Sequence, residues 1–121
     1  MLARFALCSL CFGALLAVAP GAERPKALKI YVETDLEGAS GVFKFSQTRE
    51  KDTPLNIEAC EFLMGDIAAV VRGLRAGGAT EIIVSDGHGS QAFLPRLMEP
   101  GAKYITGRPR PSVAGGLDET C

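Results

Sequence analysis

Residues 29–38 read KIYVETDLEG, an apolar run that ends in two acidic side chains, Asp35 and Glu37. The run predicts a β-strand, and because it does not alternate with polar residues we expect both faces of that strand to be buried. Side chains two positions apart in extended backbone point the same way, so Asp35 and Glu37 are placed to act together. Gly38 follows them and predicts a turn.

A second stretch, residues 82–89, reads IIVSDGHG and repeats this arrangement. Its apolar run predicts another buried strand, after which Asp86 and His88 again stand two positions apart. If the two strands are parallel neighbours, their carboxyl ends meet at one edge of a sheet, where open α/β sheets place their sites. Carboxylate oxygen and imidazole nitrogen are common zinc ligands, so the pattern predicts a metal-dependent hydrolase.

A long amphipathic helix is predicted between these two strands. Thr53 and Pro54 are typical of an N-cap and a first helical position, and Gly77 and Gly78 predict the end. Apolar side chains repeat at helical spacing at Cys60, Leu63, Ile67, Val70, Val71 and Leu74. One face of the helix should therefore pack on the sheet. Strand, helix and strand in this order form a βαβ unit, whose strands are parallel.

The remaining segments are predicted from shorter patterns. We expect a short extended piece at residues 42–45, a polar surface loop at 46–52, a helical piece at 92–98 and a third strand at 103–106. The expected fold class is α/β, a βαβ-type, mostly parallel sheet with flanking helices. We expect it to be the N-terminal half of a larger domain.

The N-terminus has the three-part pattern of a secretory signal peptide, which we place at residues 1–22. A short basic start that includes Arg4 precedes an apolar run at residues 5–18, and small residues follow. The run is shorter than the roughly 20 apolar residues that a membrane-spanning helix needs. We therefore expect cleavage, export to the periplasm or the medium, and no stable membrane anchor afterwards. Residues 23–121 would form the remaining α/β domain.

Charge and cysteine content narrow the partners and the covalent chemistry. The chain has 13 Lys and Arg against 14 Asp and Glu, a net charge of −1, which argues against a nucleic-acid partner. Of its four cysteines, Cys60 and Cys121 lie outside the predicted signal peptide. Export would permit a disulfide between them. We favour the alternative, a buried Cys60 on the helix and an exposed Cys121, because a disulfide needs close Cα atoms.

Asp35, Glu37 and His88 are the predicted metal ligands. Asp86 has two possible roles: it could be a fourth ligand, or it could support His88 by accepting a ring N–H bond or by bracing the turn. We favour the supporting role. Each of these residues could also have a role other than metal binding, since an Asp after a strand often caps a turn and charged side chains are mostly solvated. Their common position at one sheet edge favours the metal site, where His88 must bind as the neutral ring.

The sequence also resembles a known family. Residues 32–41, VETDLEGASG, are similar to the opening motif of the D-aminopeptidase family, and residues 84–90, VSDGHGS, are similar to its second motif. Residues 105–107 and 112–118 resemble the next segment of that family, in the same order. The resemblance extends over residues 28–120.

This resemblance implies a zinc peptidase that removes N-terminal D-amino acids such as D-alanine from short peptides. Family members hold two zinc ions and assemble into homo-oligomers. By motif match, Asp35 would be the carboxylate shared between the two metals, and Glu37 and His88 would complete the ligands of the first.

The family's remaining site residues lie beyond the matched segment. Its second metal needs a further His and a carboxylate downstream of residues 116–118, and its catalytic His is also downstream. This chain has one His in total. We therefore expect a C-terminally incomplete form, with no catalytic residue within this chain and at most one zinc readily held.

Two other functions remain open at this point. Asp35 could be the nucleophile of a magnesium-dependent phosphatase similar to the haloacid dehalogenases, although Glu37 stands where a second Asp is expected. The chain could instead be a non-catalytic exported remnant that binds metal. A cooperative melting transition would distinguish a true domain from an unstable remnant.

Overall fold

Three parallel strands form the sheet of the computed structural model, which describes residues 27–110, 112 and 114–121. The strands are β1 (Lys29–Thr34), β2 (Glu81–Asp86) and β3 (Lys103–Ile105), in the spatial order β1-β2-β3. Two helices, α1 (Phe45–Arg49) and α2 (Pro54–Ala76), lie between β1 and β2 in the chain. This arrangement confirms the predicted α/β class and its βαβ unit.

The register of β1 on β2 is direct. Lys29 lies opposite Glu81 at one end, and Thr34 lies opposite Asp86 at the other. Both strands are six residues long, so they start and end together. The residues that follow β1 and β2 therefore emerge side by side at the same edge of the sheet.

Burial differs between the two strands in a way that their sequences do not indicate. Residues 82–86 of β2 are all buried, whereas β1 is mostly half-buried and Glu33 is exposed. The expectation that both faces of β1 are buried was wrong. Among the described residues β1 pairs on one side only, so it lies at an edge while β2 lies between two neighbours.

Helix α2 begins and ends as predicted. The Thr53 hydroxyl accepts a hydrogen bond from the Asn56 N–H at 3.2 Å, Pro54 is the first residue, and Gly77 is the C-cap. Its buried apolar side chains are Ala59, Cys60, Leu63, Met64, Ile67 and Val71. Val70, predicted on this stripe, is 44% exposed because it lies about 100° around the helix from Val71.

The two faces of the sheet are covered by different parts of the chain. Helix α2 packs on the face that carries Val32, Ile82 and Val84, and this layer is the main core. On the opposite face, Ile83 and Ile105 lie against the segment around Gly116, where an added Cβ would be 3.4 Å from each. A Lys29–Asp118 ion pair of 2.6 Å fastens the same segment to the start of β1.

Residues 46–52 are not simply a surface loop, because α1 forms there. Its buried residues are Gln47 and Thr48, both polar. The Gln47 side-chain oxygen accepts from the backbone N–H groups of residues 43 and 44 at 2.8 Å, and Asn56 of α2 donates to the Gln47 carbonyl at 2.7 Å. Hydrogen bonds therefore hold this helix, and no apolar pattern predicts it.

Two other short predictions were also wrong. The helical piece expected at 92–98 is a single 3₁₀ turn, Pro95–Leu97. Its preceding N–H groups, at residues 92 and 93, donate to the carboxylate of Asp86 instead of to a helix. No strand forms at residues 42–45, where the chain turns into α1.

The predicted signal peptide, residues 1–22, lies outside the described residues. Within the described ranges, no helix is both long enough and apolar enough to cross a membrane. Cys60 is buried and Cys121 is exposed, and both are free thiols, as favoured from the sequence.

Candidate metal centre

The site begins where β1 and β2 end. The Gly87 N–H donates to the Thr34 carbonyl at 2.8 Å and so extends the pairing one residue past β2. A Cβ at position 87 would lie 2.4 Å from that carbonyl oxygen, a distance that only glycine avoids. This close approach places Asp35 and His88 next to each other.

Asp35, Glu37 and His88 converge at this edge. The His88 Nδ1 lies 2.8 Å from an Asp35 oxygen and 3.0 Å from a Glu37 oxygen. One ligand atom from each of the three residues lies within 4.8 Å of the others. The carboxylates are 59% and 41% exposed and the ring is 12% exposed, so an ion would enter from the carboxylate side.

The second ring nitrogen fixes the orientation of His88. Nε2 lies 2.9 Å from the backbone carbonyl of Thr48, the buried residue of α1. A carbonyl can only accept, so Nε2 carries the proton and donates it. In the neutral ring this leaves the Nδ1 lone pair directed at the two carboxylates, which is how proteins commonly orient a metal-binding histidine.

The same contacts set the protonation of the metal-free site. Burial by itself would lower the pKa of His88, but hydrogen bonds to Asp35 and Thr48 and the charge of Glu37 hold it above the ordinary value. Partial burial likewise opposes ionisation of Asp35, yet the hydrogen bond from His88 holds the pKa of that carboxyl below its usual range. The metal-free site therefore favours a protonated ring beside ionised Asp35.

Asp86 braces the loop that carries His88. Its carboxylate is fully buried, and one oxygen accepts the backbone N–H of His88 at 3.0 Å. The other oxygen accepts from the Ala92 N–H at 3.0 Å, the Phe93 N–H at 3.3 Å and the Thr106 hydroxyl at 2.9 Å. Of the two supporting roles considered, the structure shows the bracing of the turn, while the ring N–H groups face Asp35 and Thr48.

Backbone strain accumulates in the loop that Asp86 holds. Ser90 has φ +63°, a backbone conformation that residues other than glycine rarely adopt. Its hydroxyl is buried and has no hydrogen-bond partner among the described residues. Such a residue costs on the order of 1–3 kcal/mol and persists only where its surroundings impose it.

The three donors fit zinc in chemistry and nearly in geometry. Zinc binds carboxylate oxygen and histidine nitrogen at about 2.0–2.2 Å, so two donors of a tetrahedral ion lie about 3.4 Å apart. The donor separations of 2.8 and 3.0 Å are therefore shorter by about 0.5 Å, a change that exposed carboxylates make by rotating their side chains. With three protein ligands, the centre would keep one open position.

A comparison with family models matches the D-aminopeptidase family over residues 28–121. The match covers most of the chain and includes all three donors. The chain belongs to the D-aminopeptidase family. Members of this family are metallopeptidases, so the assignment supports a peptidase function and hydrolase chemistry for this chain. The searches of curated proteins and of solved structures each gave no significant match.

The D-aminopeptidase assignment and the geometry concern the same residues, since the two motifs that resemble the family carry the donors. In the part of the chain that the structure describes, no second group of three or more such side chains converges. The roles of Asp35, Glu37 and His88 as metal ligands remain predictions, and the structure shows that the three side chains are in contact.

A pocket of about 220 Å³ opens beside the donors. Arg49, from the end of α1, enters it and pairs with Glu37 at 2.9 Å, while its guanidinium lies 5.7 Å from the centre of the Phe45 ring. The sequence pointed to neither Arg49 nor the Thr48 carbonyl, because both depend on the unpredicted helix α1. Arg110, which stands between two prolines, donates to the Asp86 carbonyl. The only feature of the sequence that could have indicated this contact is a basic residue within a proline-rich segment.

Proposed function

We propose that this protein is an exported zinc-dependent D-aminopeptidase-type hydrolase that acts on N-terminal D-amino acids, such as D-alanine, of short peptides. The observation that carries the proposal is the convergence of Asp35, Glu37 and His88 in a chain of the D-aminopeptidase family. Zinc is favoured over magnesium because magnesium prefers oxygen ligands alone, whereas this centre contains an imidazole nitrogen. The signal-peptide pattern of residues 1–22 supports export to the periplasm or the medium.

Each residue of the centre has a distinct task in this proposal. Asp35 and Glu37 would supply two carboxylate oxygens and His88 would supply Nδ1. The Thr48 carbonyl keeps the proton on Nε2, and Arg49 restrains Glu37 through their 2.9 Å ion pair. When bound, zinc with an open position supplies Lewis-acid activation of water and of the peptide carbonyl.

No residue of this chain is assigned the acid–base role. Its single histidine is already used as a ligand in the proposal, and among the described residues no other His, Cys, Asp or Glu joins the three donors. Homo-oligomerisation and a second zinc ion, both implied by the family resemblance, remain part of the proposal.

Zinc titration of the purified protein tests the centre first. Competition with a chromophoric chelator should show one zinc ion bound per chain, and His88→Gln and Asp35→Asn should each weaken binding at least tenfold. Asp66→Asn is the matched control, because its half-buried carboxylate lies outside the three donors and accepts from the Ser40 N–H at 2.8 Å. Equal zinc affinity in all four proteins would contradict the proposed ligands.

Hydrolysis tests the reaction separately. Release of D-alanine from D-alanyl-D-alanine by zinc-loaded protein, with L-alanyl-L-alanine left intact, would support the proposed reaction. Zinc binding without release of D-alanine would instead support the non-catalytic metal-binding alternative. Magnesium-dependent hydrolysis of a phosphate ester, lost in Asp35→Asn, would support the phosphatase alternative.

A further inference from the structure

The pocket beside the metal centre is lined by side chains of both charges. The acidic ones are Asp35 and Glu37, and the basic ones are Arg49 and Lys51. Arg49 is already paired with Glu37 at 2.9 Å. Lys51 makes no ion pair with any other residue that the structure describes, so its ammonium group is available to a ligand.

The backbone that carries Lys51 is held firmly although its side chain is exposed. The next residue, Asp52, has φ +61°, and its N–H donates to the buried Asn56 side chain at 3.3 Å. Asn56 in turn donates to the carbonyl of Gln47 at 2.7 Å, which ties the turn to both helices. The Thr53 hydroxyl donates to the carbonyl of Glu50 at 2.8 Å on the other side of Lys51. Lys51 is therefore presented to the pocket from a fixed point.

We propose that Lys51 binds the C-terminal carboxylate of the substrate and so restricts this site to short peptides with a free carboxyl end. This inference rests on the proposed function and extends it. If the N-terminal residue of a peptide lies at the metal centre, each further residue adds at most about 3.6 Å. The carboxylate of a dipeptide or tripeptide therefore stays close to the pocket that Lys51 lines together with the three donors. The pocket, about 220 Å³, is smaller than the roughly 300–1,000 Å³ of pockets that enclose drug-sized ligands.

The charge pattern explains why a carboxylate in particular would be recognised. Lys51 offers three N–H donors and a full positive charge, and a peptide amide at the same position would gain neither the charge nor all the hydrogen bonds. Because the Lys51 side chain is solvated, the gain is moderate. We expect the free acid to bind about twofold to fivefold more tightly than the amide.

The test compares D-alanyl-D-alanine with its C-terminal amide. Affinities are measured by NMR chemical-shift titration of the full protein in excess zinc, with analogues of both peptides whose scissile amide is reduced to a methyleneamine so that no hydrolysis takes place. Wild type should show the twofold to fivefold preference for the free acid, Lys51→Met should abolish it, and Lys51→Arg should retain it. Lys103→Met, which removes a remote surface charge paired with Glu81, should leave the preference unchanged.

Three results would overturn the inference: equal affinities in wild type, no binding of either peptide, or a preference that survives Lys51→Met. The zinc titration described above is independent of this comparison. A protein that binds zinc through His88 but treats acid and amide alike would refute the role of Lys51 alone. A protein that prefers the acid but binds no zinc would refute the proposed metal centre.

Discussion

Replacing Asp86 with Asn tests the link between the buried carboxylate and the metal centre. The carboxylate accepts four hydrogen bonds, three at one oxygen and one, from the His88 N–H, at the other. An amide can place its oxygen at the three donors, but its NH₂ group then faces the His88 N–H. One charge-assisted bond is lost, at about 1.5–3 kcal/mol, and the three others weaken because the charge is gone.

We therefore expect Asp86→Asn to lower the free energy of unfolding by about 2–4 kcal/mol. Native domains are stable by about 5–15 kcal/mol, so the variant should remain folded in the absence of denaturant. Because the His88 loop loses its brace, zinc affinity should also fall about 10- to 100-fold, as is usual when a group that orients a ligand is removed.

Urea unfolding followed by circular dichroism measures the first effect, and chelator competition measures the second. Asp66→Asn is again the control, since an amide oxygen can still accept the Ser40 N–H. The reasoning is refuted if Asp86→Asn changes the unfolding free energy by less than about 1 kcal/mol while zinc affinity stays within threefold of wild type.

Three further outcomes are expected. Gly87→Ala should lower the unfolding free energy by more than about 2 kcal/mol in thermal denaturation, because its Cβ would lie 2.4 Å from the Thr34 carbonyl oxygen. The control Gly73→Ala, whose Cβ would enter open space on α2, should be neutral or stabilising. Equal effects of the two substitutions would contradict this prediction. Below the raised pKa of His88, zinc affinity should fall about tenfold per pH unit, because zinc binding displaces the ring proton. In the metal-free protein, the stability that this proton contributes should disappear as pH rises through the same pKa. A zinc affinity that does not change with pH in chelator competition would exclude His88 as a ligand. Thr53→Ala should cost about 1 kcal/mol in urea unfolding through loss of the N-cap, and no change would show that this hydrogen bond is not formed in solution.

The sequence predicted well those helices and strands that have a recognisable pattern of apolar residues and, for the helix, recognisable capping residues. Helix α2 has a threonine cap, a proline and a glycine end in the expected places, and its length follows from them. The ligand set was predictable for a similar reason, because Asp35 and His88 directly follow recognisable strands. Which strand would be central was not predictable, since a continuous apolar run looks the same at an edge.

What the sequence did not predict depends on main-chain atoms and distant contacts. The Thr48 carbonyl orients His88 across 40 residues of chain, and a carbonyl belongs to every residue type. Helix α1 is stabilised by the side-chain hydrogen bonds of Gln47 and not by apolar packing, so periodicity could not reveal it. Arg49 and Lys51 acquire their positions at the pocket only because that helix exists.

The direct register of β1 on β2 has a consequence for cooperativity. Asp35 and His88 are 53 positions apart in the chain, and both helices that precede β2 lie in the loop between them. An ion held by both strand ends would act as a clasp on that loop, so β1 could not detach without releasing it. Zinc binding at the centre would then slow the hydrogen exchange of the β1–β2 amides, because both depend on the same opening of β1 from β2.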